Sequence, residues 1–100
     1  MARATPRIET RSPTRPAYRR MVDARKHEAM KRLVLKATPR SAPGITQNGL
    51  FERLEKSSPR DVFPGTTYGW WGKTVQLDLE ARGVLRCDRT SRPLRWRRVK

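Results

Sequence analysis

The apolar positions of the chain repeat at helical spacing in three separate stretches. The first stretch covers residues 17–37 and places seven apolar side chains largely on one face: Tyr18, Met21, Val22, Ala29, Met30, Leu33 and Ala37. Pro16 suits the start of a helix and Pro39 ends it, while Asp23 is a second candidate for the N-cap. The pattern therefore predicts a first helix from about Ala17 to Ala37, whose first turns would be frayed if Asp23 is the cap.

The second stretch is shorter and follows a loop over residues 38–44 that contains two prolines. Thr46 is a fair N-cap for a helix from Gln47 to about Lys56, although Gly49 weakens such a helix by roughly 1 kcal/mol relative to alanine. Ile45, just before the cap, suits a short strand or a plug into the core. The inner side of this helix would carry Leu50, Phe51 and Leu54.

The third stretch predicts a helix that begins near Thr66 or Thr67 and ends before Gly83, a residue suited to the position after a helix. Its inner face would carry Tyr68, Trp71, Gly72, Val75 and Leu79, and its opposite face Thr66, Gly69, Lys73, Gln76 and Glu80. A second apolar line, Trp70–Leu77–Ala81, lies between these faces. Either this helix is buried on two sides or the line forms a dimer patch. In the loop before it, Val62 and Phe63 are expected to pack as a satellite of the core.

The end of the chain predicts a β-hairpin, with strands Val84–Cys87 and Leu94–Val99 around a polar turn, Asp88–Pro93. Alternation along the second strand puts Leu94, Trp96 and Arg98 on one face and Arg95, Arg97 and Val99 on the other. Trp96 is expected to pack against the third helix, because a small core needs its tryptophans; the alternative is that it stacks on a nucleic-acid base.

The first 16 residues differ from the rest in composition. They contain three prolines together with serine and threonine residues, which argue against a helix and indicate a disordered basic arm. Such an arm either binds along a groove or on the phosphates of a nucleic acid, or it has no role. Its arginines recur every fourth residue: Arg3, Arg7, Arg11 and Arg15. We therefore expect an arm over residues 1–16 and one folded domain over residues 17–100.

The charge distribution points to a polyanionic partner. The net charge is +15 over 100 residues, with 18 arginines and 6 lysines. Residues 1–40 carry a net +9, residues 41–81 a net −1 and residues 82–100 a net +7. Arginine binds phosphate through a planar fork and stacks on bases, so its excess favours a nucleic acid over a merely soluble surface.

Catalytic and metal chemistry find no support in the sequence. It contains no glycine-rich phosphate loop, no paired carboxylates in a plausible pocket and no Ser/His/Asp order. His27, in a basic segment, is expected to be exposed, and Cys87 to be a small buried hydrophobe rather than a nucleophile. One histidine and one cysteine cannot form an all-His/Cys zinc site. We therefore expect no enzyme, no cofactor, no metal and no small-molecule substrate.

Compartment and membrane association follow from simple features. No apolar run is long enough to span a bilayer, and the basic N-terminus lacks the apolar stretch of a secretory signal. A single cysteine excludes an intramolecular disulfide and fits a reducing compartment. These features lead us to expect a cytoplasmic protein without a membrane partner.

The chain resembles the winged helix-turn-helix family over about residues 27–99. The clearest part is residues 75–86, Val-Gln-Leu-Asp-Leu-Glu-Ala-Arg-Gly-Val-Leu-Arg, which is similar to the family's third helix followed by glycine, two apolar residues and a strand with an arginine. Gly44-Ile45-Thr46, followed by Leu50 and Leu54, resembles the family's short strand and second helix. The resemblance implies an α+β, mainly α, fold in which three helices form a winged helix-turn-helix with a C-terminal two-stranded wing.

The resemblance also implies double-stranded DNA binding by a small transcription regulator or architectural protein of bacterial or phage type. The expected phosphate contacts on the wing are Arg86, Arg89, Arg92, Arg95 and Arg97, joined by the arginines of the arm. The expected base-facing residues of the third helix are Thr66, Thr67, Gly69, Lys73 and Gln76. Two departures, a long loop before this helix and few charges on its outer face, lead us to expect most of the affinity from the wing and the arm.

Two other functions stay open at this point. An RNA- or ribosome-associated binder would also suit basic segments at both ends of the chain. A protein-interaction module, including a homodimer, would use the line of Trp70 and Leu77.

Overall fold

In the computed structural model, which describes residues 6–15 and 17–100, the chain forms three helices and five short strands. In chain order they are β1 (Arg7–Thr10), β2 (Arg20–Asp23), α1 (Ala24–Ala37), β3 (Ile45–Thr46), α2 (Gln47–Ser57), α3 (Thr67–Ala81), β4 (Leu85–Asp88) and β5 (Arg95–Arg98). β1 and β2 form one antiparallel sheet, and β3, β5 and β4 form a second, in that order across the sheet. The chain is therefore a small α+β domain.

The predicted helices over residues 47–56 and 67–82 are confirmed as α2 and α3. The Thr46 side chain caps α2 by accepting a hydrogen bond from the Gly49 N–H at 3.1 Å. Gly83 follows α3 with a φ of +76°, the left-handed conformation that glycine adopts without steric cost. Ile45 forms the predicted short strand and pairs with Trp96 of β5.

One apolar core lies between the three helices and the three-stranded sheet. Each helix contributes two fully or almost fully buried aliphatic side chains: Met30 and Val34, Leu50 and Leu54, Val75 and Leu79. Phe63 is fully buried, as expected for the loop before α3, and Leu85 and Trp96 close the core from the sheet. The prediction that Trp96 packs inward is therefore confirmed.

The first helix is shorter than the sequence predicts. α1 begins at Ala24, because the Asp23 carboxylate accepts hydrogen bonds from the N–H groups of Arg25 and Lys26 and caps the helix there. The preceding residues form β2, whose backbone pairs with β1. The predicted start at Ala17 is wrong because this pairing satisfies the backbone of residues 20–23.

The expectation of a disordered arm is also wrong for residues 7–10, which form β1. We call β1, β2 and the loop between them the N-terminal ribbon. The ribbon is attached to α3, since the Arg11 N–H donates to the Asp78 carboxylate at 2.8 Å and the Arg82 guanidinium donates to the Glu9 carbonyl at 2.8 Å. The folded domain therefore reaches into the predicted arm, and residues 1–5, with Arg3, lie outside the described residues.

None of the helices in the described part of the chain is long and apolar enough to cross a membrane.

Candidate nucleic-acid interface

The outer face of the C-terminal hairpin is rich in arginine. Register pairs Leu85 with Arg98 and Cys87 with Trp96 on the inner face, and Arg86 with Arg97 and Asp88 with Arg95 on the outer face. This confirms the predicted alternation, in which Arg95 and Arg97 lie on one face of the second strand and Trp96 lies on the other. We call Arg86, Arg95 and Arg97 the arginine face.

Two members of the arginine face have no described partner. The side chains of Arg86 and Arg97 make no hydrogen bond or ion pair with any residue that the structure describes, whereas the Arg95 side chain donates weakly to the Gly44 carbonyl at 3.3 Å. The face forms one side of a groove of about 450 Å³, and Ala42 and Pro43 of the loop before β3 form the other. The guanidinium groups of Arg86 and Arg97 are therefore available to a ligand.

The turn of the hairpin is held by its own side chains. The Asp88 carboxylate accepts from the Thr90 N–H at 3.0 Å and from the Thr90 hydroxyl at 2.6 Å, and these hydrogen bonds lower the pKa of Asp88. Arg92 donates to the carbonyls of Arg89 and Ser91. These contacts shape the turn before any ligand is present.

Arg89 connects the hairpin to α3. Its guanidinium binds both oxygens of the Glu80 carboxylate, with one contact at 2.9 Å, and this hydrogen bonding raises the pKa of Arg89. The sequence placed Arg89 among the phosphate contacts. In the structure its charge is already paired, so it serves first to fix the hairpin against the helix.

The expected base-facing residues of α3 divide into two groups. Thr66, Thr67 and Lys73 are exposed, Gly69 is half-buried, and the Thr67 hydroxyl donates to the Pro64 carbonyl. Gln76 was expected among them, but it is 1% exposed. Its side-chain amide forms two reciprocal hydrogen bonds with the amide of Gln47 on α2, each 3.0 Å long. Gln76 therefore joins two helices and cannot read a base.

The arm arginines lie apart from the arginine face. Arg7, Arg11 and Arg15 are all exposed, and Arg11 and Arg15 line a cleft against α3 together with Lys73. The structure thus brings arm and helix residues together, while the hairpin arginines surround a different groove.

A buried charge cluster escaped the sequence reasoning. His27 is 4% exposed rather than exposed as expected, because its Nε2 lies 3.1 Å from the fully buried Asp78 carboxylate. Burial by itself raises the pKa of Asp78, but hydrogen bonds from His27, the Arg11 N–H and Arg82 together lower it below its ordinary value. The only sequence signal was an aspartate placed between Leu77 and Leu79 of α3.

The structure also shows the surroundings of Cys87 and of the residue types that bind metals. Cys87 is half-buried on β4, and burial raises the pKa of its thiol, which disfavours the reactive thiolate. Within residues 6–15 and 17–100, no group of three or more His, Cys, Asp or Glu side chains could hold a metal ion.

Comparison with known proteins places the chain in a family. A model of a family of unknown function, DUF6958, matches residues 7–96. The chain belongs to this family. The match begins at the first residue of β1 and ends within β5, so the DUF6958 domain includes the N-terminal ribbon as well as the three-stranded sheet. No curated protein and no solved structure matches the chain significantly.

Proposed function

We propose that this DUF6958 domain binds double-stranded DNA as a small winged-helix protein in the cytoplasm. The element order supports the fold assignment: α1, β3, α2 and α3 are followed by β4 and β5, and β5 lies between β3 and β4 in the sheet. In this assignment the C-terminal hairpin is the wing and α3 is the helix that faces the groove of DNA.

The pairing of Arg86 with Arg97 is the observation that carries the proposal. These two residues lie directly opposite each other on adjacent strands, without a described carboxylate partner. Like charges in this position destabilise a sheet by roughly 0.2–1 kcal/mol. A phosphate bound between the two guanidinium groups would remove that repulsion and form charge-assisted hydrogen bonds with both.

Phosphate contacts of this kind give affinity without sequence preference. On α3, the exposed candidates for base contacts are Thr66, Thr67 and Lys73, of which Lys73 alone is charged. With Gln76 buried, the helix offers little for direct reading of bases. We therefore infer an architectural or weakly sequence-selective role rather than recognition of a long specific site.

The test is a salt titration of duplex binding by the double variant Arg86→Ala/Arg97→Ala. Each phosphate contact contributes about 0.9 to the slope of log K against log salt concentration, so the variant should reduce that slope by about 2 for every duplex sequence. Fluorescence anisotropy of a labelled duplex, measured between low and physiological salt, gives the slope directly.

The matched control is Arg25→Ala/Arg32→Ala, which removes the same charge from the exposed surface of α1. We expect the control to change the slope by less than half as much. Equal slopes for the wild type and the Arg86→Ala/Arg97→Ala variant would contradict the proposed wing.

A further inference from the structure

A cleft separates the loop of the N-terminal ribbon from α3, on a different surface from the arginine face. Its volume is about 420 Å³, within the range of small-ligand sites in proteins. Trp70 and Leu77 line it from the helix, and Tyr18 lines it from the ribbon. We call it the Trp70 cleft.

Trp70 is the unusual residue of this cleft. Its side chain is 44% exposed, although a domain of this size gains stability from every buried tryptophan. The Arg20 guanidinium lies over the indole at 5.0 Å, and the Trp71 ring contacts it edge-on with centroids 5.0 Å apart. Arg20 lines the neighbouring groove and not the cleft. Its guanidinium therefore covers one face of the indole without filling the cleft. The ring is thus fixed in place and still open to a ligand.

The charges around the cleft are positive. Arg11, Arg15 and Lys73 line it, and no aspartate or glutamate among the described residues does so. Arg11 is fixed at its backbone by the bond to Asp78, and its side chain reaches Glu9 at 3.7 Å. Arg15 and Lys73 make no ion pair with any described residue, so their charges are available to an anion.

An ordered, exposed aromatic ring beside free cations is the combination that binds single-stranded nucleic acid, because every base has a π-face and every nucleotide a phosphate. We propose that the Trp70 cleft binds one unpaired nucleotide, with its base stacked on Trp70 and its phosphate held by Arg15 and Lys73. A paired base inside a duplex cannot present its face, so the nucleotide comes from a single strand or a strand end. This inference rests on the proposed nucleic-acid partner and uses a surface separate from the arginine face, while Lys73 is shared with the base-contact candidates of α3.

The experiment compares strands of equal length that differ either in the presence of a base or in the sugar. The full chain is titrated by fluorescence anisotropy with labelled strands of about 12 nucleotides: oligodeoxyuridine, oligouridine and an abasic deoxyribose strand with the same phosphates. Stacking of one base is worth roughly 1–3 kcal/mol, so at least one of the two base-bearing strands should bind about tenfold more tightly than the abasic strand. Whichever of the two binds more tightly identifies the source of the nucleotide as DNA or RNA.

Variants assign the effect to the cleft. Trp70→Ala should abolish the difference between base-bearing and abasic strands, and Trp70→Phe should restore part of it. Val99→Ala is the control, because Val99 is an exposed apolar residue that does not line the cleft. It should leave the difference in affinity between base-bearing and abasic strands unchanged. Lys73→Ala should weaken all three strands alike, and thermal unfolding of each variant shows whether the fold is intact.

The two proposals can fail separately. Equal affinities of the wild type for all three strands would overturn the nucleotide site, and so would a full tenfold difference in folded Trp70→Ala. Neither result would change the interpretation of the duplex titration with Arg86→Ala/Arg97→Ala, which tests only the proposed wing.

Discussion

At the scale of single residues, Asp78 connects three parts of the molecule. Its carboxylate accepts from the backbone of Arg11 in the N-terminal ribbon, from Arg82 after α3 and from His27 of α1. A fully buried carboxylate is tolerated only when it is paired and hydrogen-bonded in this way. Polar contacts at Asp78 and Arg82 therefore attach the ribbon to α3, in addition to apolar packing.

We predict that Asp78→Asn lowers the free energy of unfolding by roughly 2 kcal/mol, because it weakens the hydrogen bonds that a buried carboxylate accepts from His27, Arg82 and the Arg11 N–H. Since the folded pKa of Asp78 lies below its ordinary value, its stabilising contribution is complete at neutral pH and is lost as the pH falls through that lowered pKa. The difference between variant and wild type should therefore narrow in acid. Urea unfolding at pH 7 and near pH 3 measures it.

Asp61→Asn is the matched control, because Asp61 is exposed and its carboxylate makes no hydrogen bond or ion pair with a described residue. Its effect should stay within about 0.5 kcal/mol. A stability of Asp78→Asn equal to that of this control would show that the buried cluster contributes nothing.

At the scale of elements, the close approach of the loop before β3 to β5 depends on a glycine. Gly44 has a φ of +89°, and a Cβ atom there would lie 2.3 Å from the Trp96 carbonyl oxygen. Since that oxygen belongs to the backbone of the central strand, it cannot move without disturbing both of its strand pairs. One position without a side chain thus permits β3 to join the sheet.

Gly44→Ala should lower the midpoint of thermal unfolding, and Gly65→Ala provides the comparison. Gly65 also has a positive φ, +61°, but an added Cβ would meet nothing within 4 Å. Gly65→Ala should therefore cost only the conformational strain, about 1–2 kcal/mol, while Gly44→Ala should cost at least about 1 kcal/mol more. Equal midpoints for the two variants would contradict the steric argument.

At the scale of the whole molecule, two basic surfaces hold six of the 24 lysines and arginines. The arginine face lies on the C-terminal hairpin, and Arg11, Arg15 and Lys73 surround the Trp70 cleft. The near-neutral middle of the chain, residues 41–81, supplies α2 and α3, whose apolar side chains form much of the core. Position, rather than total charge, should therefore decide which arginines bind a duplex.

This argument predicts a difference between two variants of identical net charge. Arg89→Ala/Arg92→Ala removes one arginine that is paired with Glu80 and another that binds backbone carbonyls of its own turn. We expect it to flatten the salt dependence of duplex binding less than Arg86→Ala/Arg97→Ala does, because arginines already bound within the protein neutralise fewer phosphates and release fewer counterions from the DNA. The same anisotropy titration decides the order, and the reverse order would move the contact surface to the turn.

The sequence by itself determined the elements whose signals are local. Helical periodicity, the Thr46 cap and Gly83 placed α2 and α3, and strand alternation placed Trp96 inside and Arg97 outside, since these depend on neighbours a few residues apart. The charge pattern of the sequence likewise shows the two basic regions, at residues 1–40 and 82–100.

Only the tertiary structure decided the polar residues that are satisfied by distant partners. Gln76 and His27 carry no local signal of burial, because their partners Gln47 and Asp78 lie 29 and 51 residues away along the chain. The N-terminal ribbon depends in the same way on pairing between β1 and β2 and on attachment to α3. Burying a polar group is favourable only when the fold supplies its hydrogen bonds, and the sequence does not show which residues the fold brings together.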